Sequence, residues 1–199
     1  MTETADIVAI AQVIQAWGFW RDQGRWTELA GTFAEDGRIS VTWFSGGHDA
    51  FIERCKATYK AQSPRSKHQI GLPVVRIEGD RAVCETSVQI LGRATIAGVA
   101  VDNTSYARFF DRLVRAPDGW RIAERVAIYE KDRFDPVVPS DAFDRWMAET
   151  DFSDIPEPYR FLGYRLRASG RSLVDPIVID GSDAALRLLA DGAAWLAGG

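Results

Sequence analysis

The spacing of apolar residues changes once along the chain, and this change constrains the possible fold more than any other feature. Near the N-terminus Ile7, Ile10, Ile14 and Trp17 recur every three or four positions, which is the spacing of one helix face. Beyond residue 66 the spacing becomes two, which is typical of strands with one buried face. Helices followed by a run of strands, without regular alternation, predict an α+β fold.

The same patterns predict the individual elements. Helices are predicted at about 6–22, 25–33 and 49–59, and an early strand at 39–43 that Ser45-Gly46-Gly47 breaks. A polar loop at 61–66 precedes a strand whose one face carries His68, Ile70, Leu72 and Val74 and which closes at the turn 78–80. Further strands are predicted at 82–91, 97–113 and 120–131. A curved sheet packed against the N-terminal helices follows from this order.

The character of the chain shifts after Pro136. Prolines at 136, 139, 156, 158 and 176 punctuate short segments, with helices predicted at 142–149 and 182–196. We therefore divide the chain into a domain at 1–137 and a C-terminal extension at 138–199. The short helices of the extension are expected to pack on the domain or on a neighbouring subunit.

Charge and composition exclude several classes of partner. The net charge of -4 and a pI near 5.3, without any block of Lys and Arg, argue against nucleic-acid binding. The acidic N-terminus lacks a basic leader region and no apolar run reaches the length of a membrane span, so a cytoplasmic protein without membrane contact is expected. Cys55 and Cys84 lack metal-like spacing and are expected to be reduced, packed thiols.

Three motifs together resemble a known family. They are Trp-Arg-Asp-Gln-Gly-Arg-Trp at 20–26, Phe-Ala-Glu-Asp at 33–36 and Asp-Gly-Trp-Arg-Ile at 118–122. Over about residues 5–137 the chain resembles the SnoaL-like, scytalone-dehydratase-like branch of the NTF2-like superfamily. The resemblance implies a cone-shaped NTF2-like (cystatin-like) fold, in which a strongly curved antiparallel sheet wraps around N-terminal helices.

Two polar positions carry the resemblance into chemistry. Asp22, four residues before Trp26, and His68, at the start of the strand after the third helix, are similar to the Asp and His of the scytalone dehydratase and hexachlorocyclohexane dehydrochlorinase branch. Arg21 stands where scytalone dehydratases have a tyrosine. The resemblance implies His68 as general base and Asp22 as the carboxylate that fixes its tautomer. Taken singly, Asp22 is also typical of a helix cap, and His68 of an inert core histidine.

Other polar and aromatic residues are candidates for the pocket. Asn103 is similar to the pocket asparagine of scytalone dehydratases. Tyr106 shares a strand face with Arg108 and not with Asn103, unless a bulge intervenes. The remaining candidates are Trp20 and Trp43 for the wall and Tyr129 or Arg108 for holding a substrate oxygen. His48 is expected to cap the third helix, and neither a metal nor a cofactor is expected.

These observations predict a cofactor-independent lyase that abstracts a proton and cleaves a C-O or C-C bond of a small, apolar, aromatic substrate. Two alternatives remain open. One is an isomerase or epoxide hydrolase of the same fold; the other is a non-catalytic small-molecule-binding module, in which Asp22 and His68 would not touch. An open curved sheet also predicts a homo-oligomer, and the resemblance implies a trimer or a dimer.

Overall fold

The computed structural model describes residues 3–59 and 66–198. Six α-helices are present in these ranges: α1 (Glu3–Gln23), α2 (Trp26–Ala30), α3 (His48–Tyr59), α4 (Asp141–Glu149), α5 (Arg160–Ala168) and α6 (Asp183–Leu196), and a short 3-10 helix (Glu157–Tyr159) precedes α5. The strands are β1 (Phe33–Val41), β2 (Phe44–Gly47), β3 (Lys67–Ile70), β4 (Val74–Glu78), β5 (Arg81–Ile96), β6 (Val99–Ala116), β7 (Gly119–Pro136) and β8 (Val178–Ile179). None of the described helices is long and apolar enough to cross a membrane.

All eight strands belong to one sheet in the order β2-β1-β7-β6-β5-β3. β3 and β4 pair with successive parts of β5, along the same edge of that strand. β8 pairs with β7. The long strands β5, β6 and β7 are antiparallel neighbours, whereas β1 and β8 run parallel to β7. The predicted α+β class and curved antiparallel sheet with N-terminal helices are confirmed.

The N-terminal helices cover one face of this sheet. α1 buries Ile10, Ile14 and Trp17, as its spacing predicts, and α3 buries Phe51 and Ile52. These side chains join the inward residues of the strands in one large core. Burial of this face is the main force that holds helices and sheet together.

Three details of the predicted elements are wrong. Phe33 begins β1 and does not end the second helix, and Gly46 and Gly47 lie within β2, which forms a hairpin with β1. The strand after His68 is interrupted at residues 71–73, which shifts its phase: Leu72 and Val74 are 83% and 75% exposed, while Val75 and Ile77 face the core. Apart from Ser66, the predicted polar loop at 61–66 lies outside the described residues.

The C-terminal extension packs on both faces of the sheet. Leu162 and Leu166 of α5 belong to the same core as α1, whereas α6 covers Val83, Phe110 and Ile128 on the opposite face. α4 and α6 follow the predicted ranges, and α5 was not predicted. α5 thereby packs against β6 and β7.

Candidate active site

Asp22 and His68 are in direct contact. Asp22 lies in the last turn of α1 and His68 is the second residue of β3. The Nδ1 atom of His68 is 2.7 Å from Oδ1 of Asp22, and the backbone N-H of His68 donates to Oδ2 at 2.6 Å. Both side chains are largely buried, 8% exposed for His68 and 13% for Asp22. The binding-module interpretation predicts that Asp22 and His68 do not touch, whereas the enzyme interpretation requires this contact. The contact is present.

One face of α1 holds β3 in place for this contact. Gln15 donates from Nε2 to the backbone oxygens of Ile70 and Gly71, at 3.0 and 2.6 Å. One turn further, Gly18 lets the strand approach, because a Cβ there would lie 2.5 Å from Cδ1 of Ile70. Asp22 follows four residues after Gly18 on the same face. The spacing of residues 15, 18 and 22 thus aligns α1 with the strand that carries His68.

The charges of the pair suit a general base. Burial and the positive charge of Arg21 lower the pKa of His68 below 6.5, so the imidazole is neutral at pH 7. Burial by itself would raise the pKa of Asp22, but the hydrogen bonds from His68 and the charge of Arg21 outweigh it and lower the pKa. An ionised Asp22 accepts the proton of Nδ1, which leaves the lone pair on Nε2 as the basic site.

His68 lies in the wall of a cavity that is partly open to solvent. Aromatic and aliphatic side chains form most of the wall, and the edge of the Trp17 ring meets His68 with the centroids 5.4 Å apart. The described residues offer Nε2 of His68 no hydrogen-bond partner. The apolar part of the lining consists of Trp17, Val41, Trp43, Phe51, Ile90, Phe109, Tyr129, Leu162 and Leu166.

Two of the predicted pocket residues line this cavity. Trp43 lies in the turn between β1 and β2 and stacks on Phe51 with centroids 5.4 Å apart. Tyr129 is buried in β7, and its hydroxyl accepts the backbone N-H of Thr42 at 3.0 Å. Because this bond fixes the Tyr129 hydroxyl against the turn, the residue is held as part of the wall.

Four predicted pocket residues do not line the cavity. Asn103 faces inward on β6, but its amide donates to the Arg133 backbone at 3.2 Å, further along the sheet. Tyr106 and Arg108 lie on the outer face, as the alternation of β6 requires. The bulge between β6 and β7 falls at residue 130 of β7, so it leaves that alternation intact.

Arg108 forms ion pairs with Glu85, Glu130 and Asp180 on that outer face. The fourth residue, Trp20, is partly buried beside Arg25, with which it makes a cation-π contact. His48 is buried elsewhere, stacked on Phe33 at 5.1 Å. In the part of the chain that the structure describes, no three side chains of the metal-binding types are grouped together.

Sequence reasoning missed the arginines of the cavity. Arg21, Arg165 and Arg171 all line it, together with Leu162 and Leu166. Arg165 lies on α5 and Arg171 follows that helix, about a hundred residues after His68. The four-residue spacing of Leu162 and Leu166 could have revealed α5 as an amphipathic helix. Nothing in the local sequence shows where that helix packs.

The fold and the site together define the class of protein, one in which a curved sheet around N-terminal helices encloses a cavity with a buried Asp/His pair. The chain belongs to the SnoaL-like domain family, whose sequence model matches residues 2–126. None of the curated protein sequences is a significant match.

Solved structures share the fold at low sequence identity. A candidate scytalone dehydratase from Novosphingobium aromaticivorans has a TM-score of 0.57 at 18% identity, covering 69% of this chain and 97% of that one. A hexachlorocyclohexane dehydrochlorinase (LinA) of type 2 has a TM-score of 0.57 at 13% identity, covering 69% and 92%. A single-residue variant of Rv3472 from Mycobacterium tuberculosis, a protein of unknown function, has a TM-score of 0.56 at 20% identity, covering 87% and 95%.

Proposed function

We propose that this protein is a cofactor-independent lyase in which His68 removes a proton from a small aromatic substrate and a C-O or C-C bond then breaks. The observation that carries the proposal is the 2.7 Å contact between Nδ1 of His68 and Asp22, beside an aromatic cavity. Two of the similar folds bear names of enzymes that carry out eliminations, a dehydratase and a dehydrochlorinase.

The proposed reaction begins when Nε2 of His68 takes a proton from a carbon or hydroxyl of the substrate. The electron pair left behind forms a C=C or C=O bond as the leaving group departs. Asp22 stabilises the imidazolium that results, because its carboxylate remains bonded to Nδ1. The proton on His68 then passes to the leaving group or to water, which restores the neutral base. A positioned base of this kind contributes on the order of 10² to 10⁴ in rate.

The wall of the cavity supports an aromatic substrate. Trp17, Trp43 and Phe51 stack on one another in the wall of the cavity, and such aromatic surfaces pack well against a planar ring. A largely apolar wall also limits water around the reacting groups, which strengthens the electrostatic interactions between base and substrate.

Proton abstraction can be tested without knowing which bond breaks. Aromatic diols and ethers would be incubated with the protein in D2O, and NMR would follow both product release and exchange of hydrogen for deuterium. We expect turnover with at least one substrate and its loss in His68→Asn. Exchange together with an isomeric product would instead identify an isomerase.

The matched control is His48→Asn, since His48 is the other of the chain's two histidines and lies outside the cavity. This variant should retain turnover. Equal activity in the wild type and in His68→Asn would overturn the proposal, provided that both proteins melt at similar temperatures.

A further inference from the structure

Three arginines line the cavity. Arg21 comes from α1, Arg165 from α5 and Arg171 from the segment after α5. Of these, Arg21 contacts the carboxylate of Asp22 at 3.2 Å. Arg165 and Arg171 form no ion pair with any residue in the ranges 3–59 and 66–198. Asp22 itself is engaged by His68, so the described part of the chain supplies no free carboxylate to this cluster.

Arg165 packs against the sheet. Its guanidinium lies against Gly92 of β5, where a side chain would collide with it: an added Cβ would be 3.0 Å from both Cζ and Nη1. Its Nε is buried without a hydrogen-bond partner among the described residues. Burial and the charges of Arg171 and Arg21 lower the pKa of Arg165 to about 10. A charge held in this way is costly unless a group of opposite sign accompanies it.

Arg171 lies beside the aromatic wall. Its Cζ is 5.2 Å from the centroid of the Trp43 ring, so the guanidinium packs over the indole. Burial and the charge of Arg21 lower the pKa of Arg171 as well. An aromatic ring that entered the cavity would therefore meet two arginines in its lining.

We propose that the cavity binds a small aromatic carboxylate, with the carboxylate on Arg165 and Arg171 and the ring against Trp17, Trp43 and Phe51. Guanidinium groups bind carboxylates through short, charge-assisted and often bidentate hydrogen bonds. The inference rests on the proposed function only where it makes this anion the substrate of the reaction. It also extends the proposed function, because the same two guanidinium groups would stabilise the negative charge that develops when His68 removes a proton.

Benzoate and benzamide are suitable probes, since they have similar shape and differ in charge. Each would be titrated into the full chain by calorimetry at pH 7.5, where benzoate is ionised. We expect benzoate to bind at least tenfold more tightly than benzamide. Arg165→Met should remove this preference and raise the melting temperature, because it takes away an uncompensated buried charge. Equal binding of the two probes by the wild type would overturn the inference.

Arg167→Gln is the matched control. Arg167 lies two residues further along α5, is exposed, and forms an ion pair with Asp154. The substitution removes the same net charge without touching the cavity, so the benzoate preference should persist. If both variants weakened benzoate equally, the effect would be a long-range field and the proposed contact would be wrong. Should Arg165→Met fail to fold, Arg171→Gln, outside the helices, makes the same test.

A further variant separates this inference from the proposed function. His68→Asn should bind benzoate within about threefold of the wild type, because the base is not part of the carboxylate site. Such a result supports the anion site even if no turnover is ever found. Conversely, turnover of neutral substrates without any preference for benzoate would leave the lyase standing and overturn the anion site.

Discussion

Asp22 accepts two hydrogen bonds from His68, one from Nδ1 and one from the backbone N-H. An asparagine could keep the second bond but would present an NH2 group or a weaker acceptor to Nδ1. The tautomer with its proton on Nε2 would then be favoured, and the basic lone pair on Nε2 would be lost. We expect Asp22→Asn to lower kcat/KM by about 10² to 10⁴ with little change in melting temperature. An unchanged kcat/KM would show that Asp22 only anchors the strand.

The pH dependence of kcat/KM depends on the same residue pair. Since burial and Arg21 lower the pKa of His68, protonation should inactivate the enzyme only below pH 6.5, with a plateau at neutral pH. In Arg21→Met the repulsion from the guanidinium is absent, so the midpoint of this acidic limb should move up. A midpoint that did not move, or moved down, would contradict the role given to Arg21. Measurements of kcat/KM between about pH 4.5 and 8, for the wild type and Arg21→Met, test this prediction.

A residue could be assigned to the site from sequence only where the neighbouring sequence carried the evidence. Asp22 and His68 were assigned because their positions resemble those of a catalytic pair in a known family, and they touch. Tyr106 was correctly separated from Asn103 by the alternation of β6, yet neither lines the cavity. Alternation tells which face a residue occupies but not how far along a curved sheet the cavity extends. Arg165 could not be assigned because its contact with Gly92 joins distant parts of the chain.

At the scale of elements, Asp132 links β7 to α5. One of its carboxylate oxygens accepts the backbone N-H of Leu162 at 2.7 Å, in the first turn of α5. Burial raises the pKa of Asp132 from 3.8 to about 6, despite these helix N-H groups and the charge of Arg160. The ionised carboxylate is thus a cost to the folded state above pH 6. That cost disappears as the pH falls towards 4, because the folded state then binds the proton first.

Asp132→Asn should therefore raise the free energy of unfolding at pH 7, and the gain should vanish near pH 4. The asparagine oxygen can still accept the Leu162 N-H, so the start of α5 is preserved. Urea denaturation at the two pH values measures the difference. Asp135→Asn, on the same strand at an exposed site paired with Arg133, serves as the control for removing a carboxylate from β7. A loss of stability at pH 7 would mean that the charge itself holds α5.

The elements were predicted well where a single period extended over many residues. α1, α3 and the antiparallel strands follow that rule. The interruption at residues 71–73 was missed, although Pro73 was a signal against an unbroken strand. α5 was missed because Gly163 lies at its centre, a residue that weakens helices. Gly163 is kept there by close packing, since a Cβ would lie 2.8 Å from the Ile155 side chain.

At the scale of the whole molecule, the position of α6 bears on the predicted homo-oligomer. The prediction rests on apolar strand surface that an open curved sheet would expose, and the apolar patch around Phe110 and Ile128 on the outer face is such a surface. In the structure α6 packs on this surface, so closely that a Cβ on Gly192 would lie 2.2 Å from the Phe110 ring. A homo-oligomer stays a prediction, and its interface would have to use other surfaces.

The packing of α5 bears on how the predicted domain at 1–137 and its C-terminal extension depend on each other. Ile155, Tyr159, Leu162 and Leu166 belong to the main core. Burying each such side chain contributes about 1.5 to 3 kcal/mol, and the total stability of a domain is about 5 to 15 kcal/mol. A chain that ends at residue 137 should therefore lose cooperative melting and bind the dye ANS. It should also lose benzoate binding together with Arg165 and Arg171.

A chain that ends at residue 181 provides the comparison, because it lacks α6 but keeps α5 and both arginines. It should melt at a lower temperature than the full chain, since Phe110 and Ile128 lose their cover, yet retain the preference for benzoate over benzamide. Cooperative melting of the shorter chain at the temperature of the full protein would establish residue 137 as a true domain boundary. If the chain ending at 137 loses cooperative melting and the chain ending at 181 only melts at a lower temperature, α5 is part of the core and of the cavity. α6 then contributes only stability.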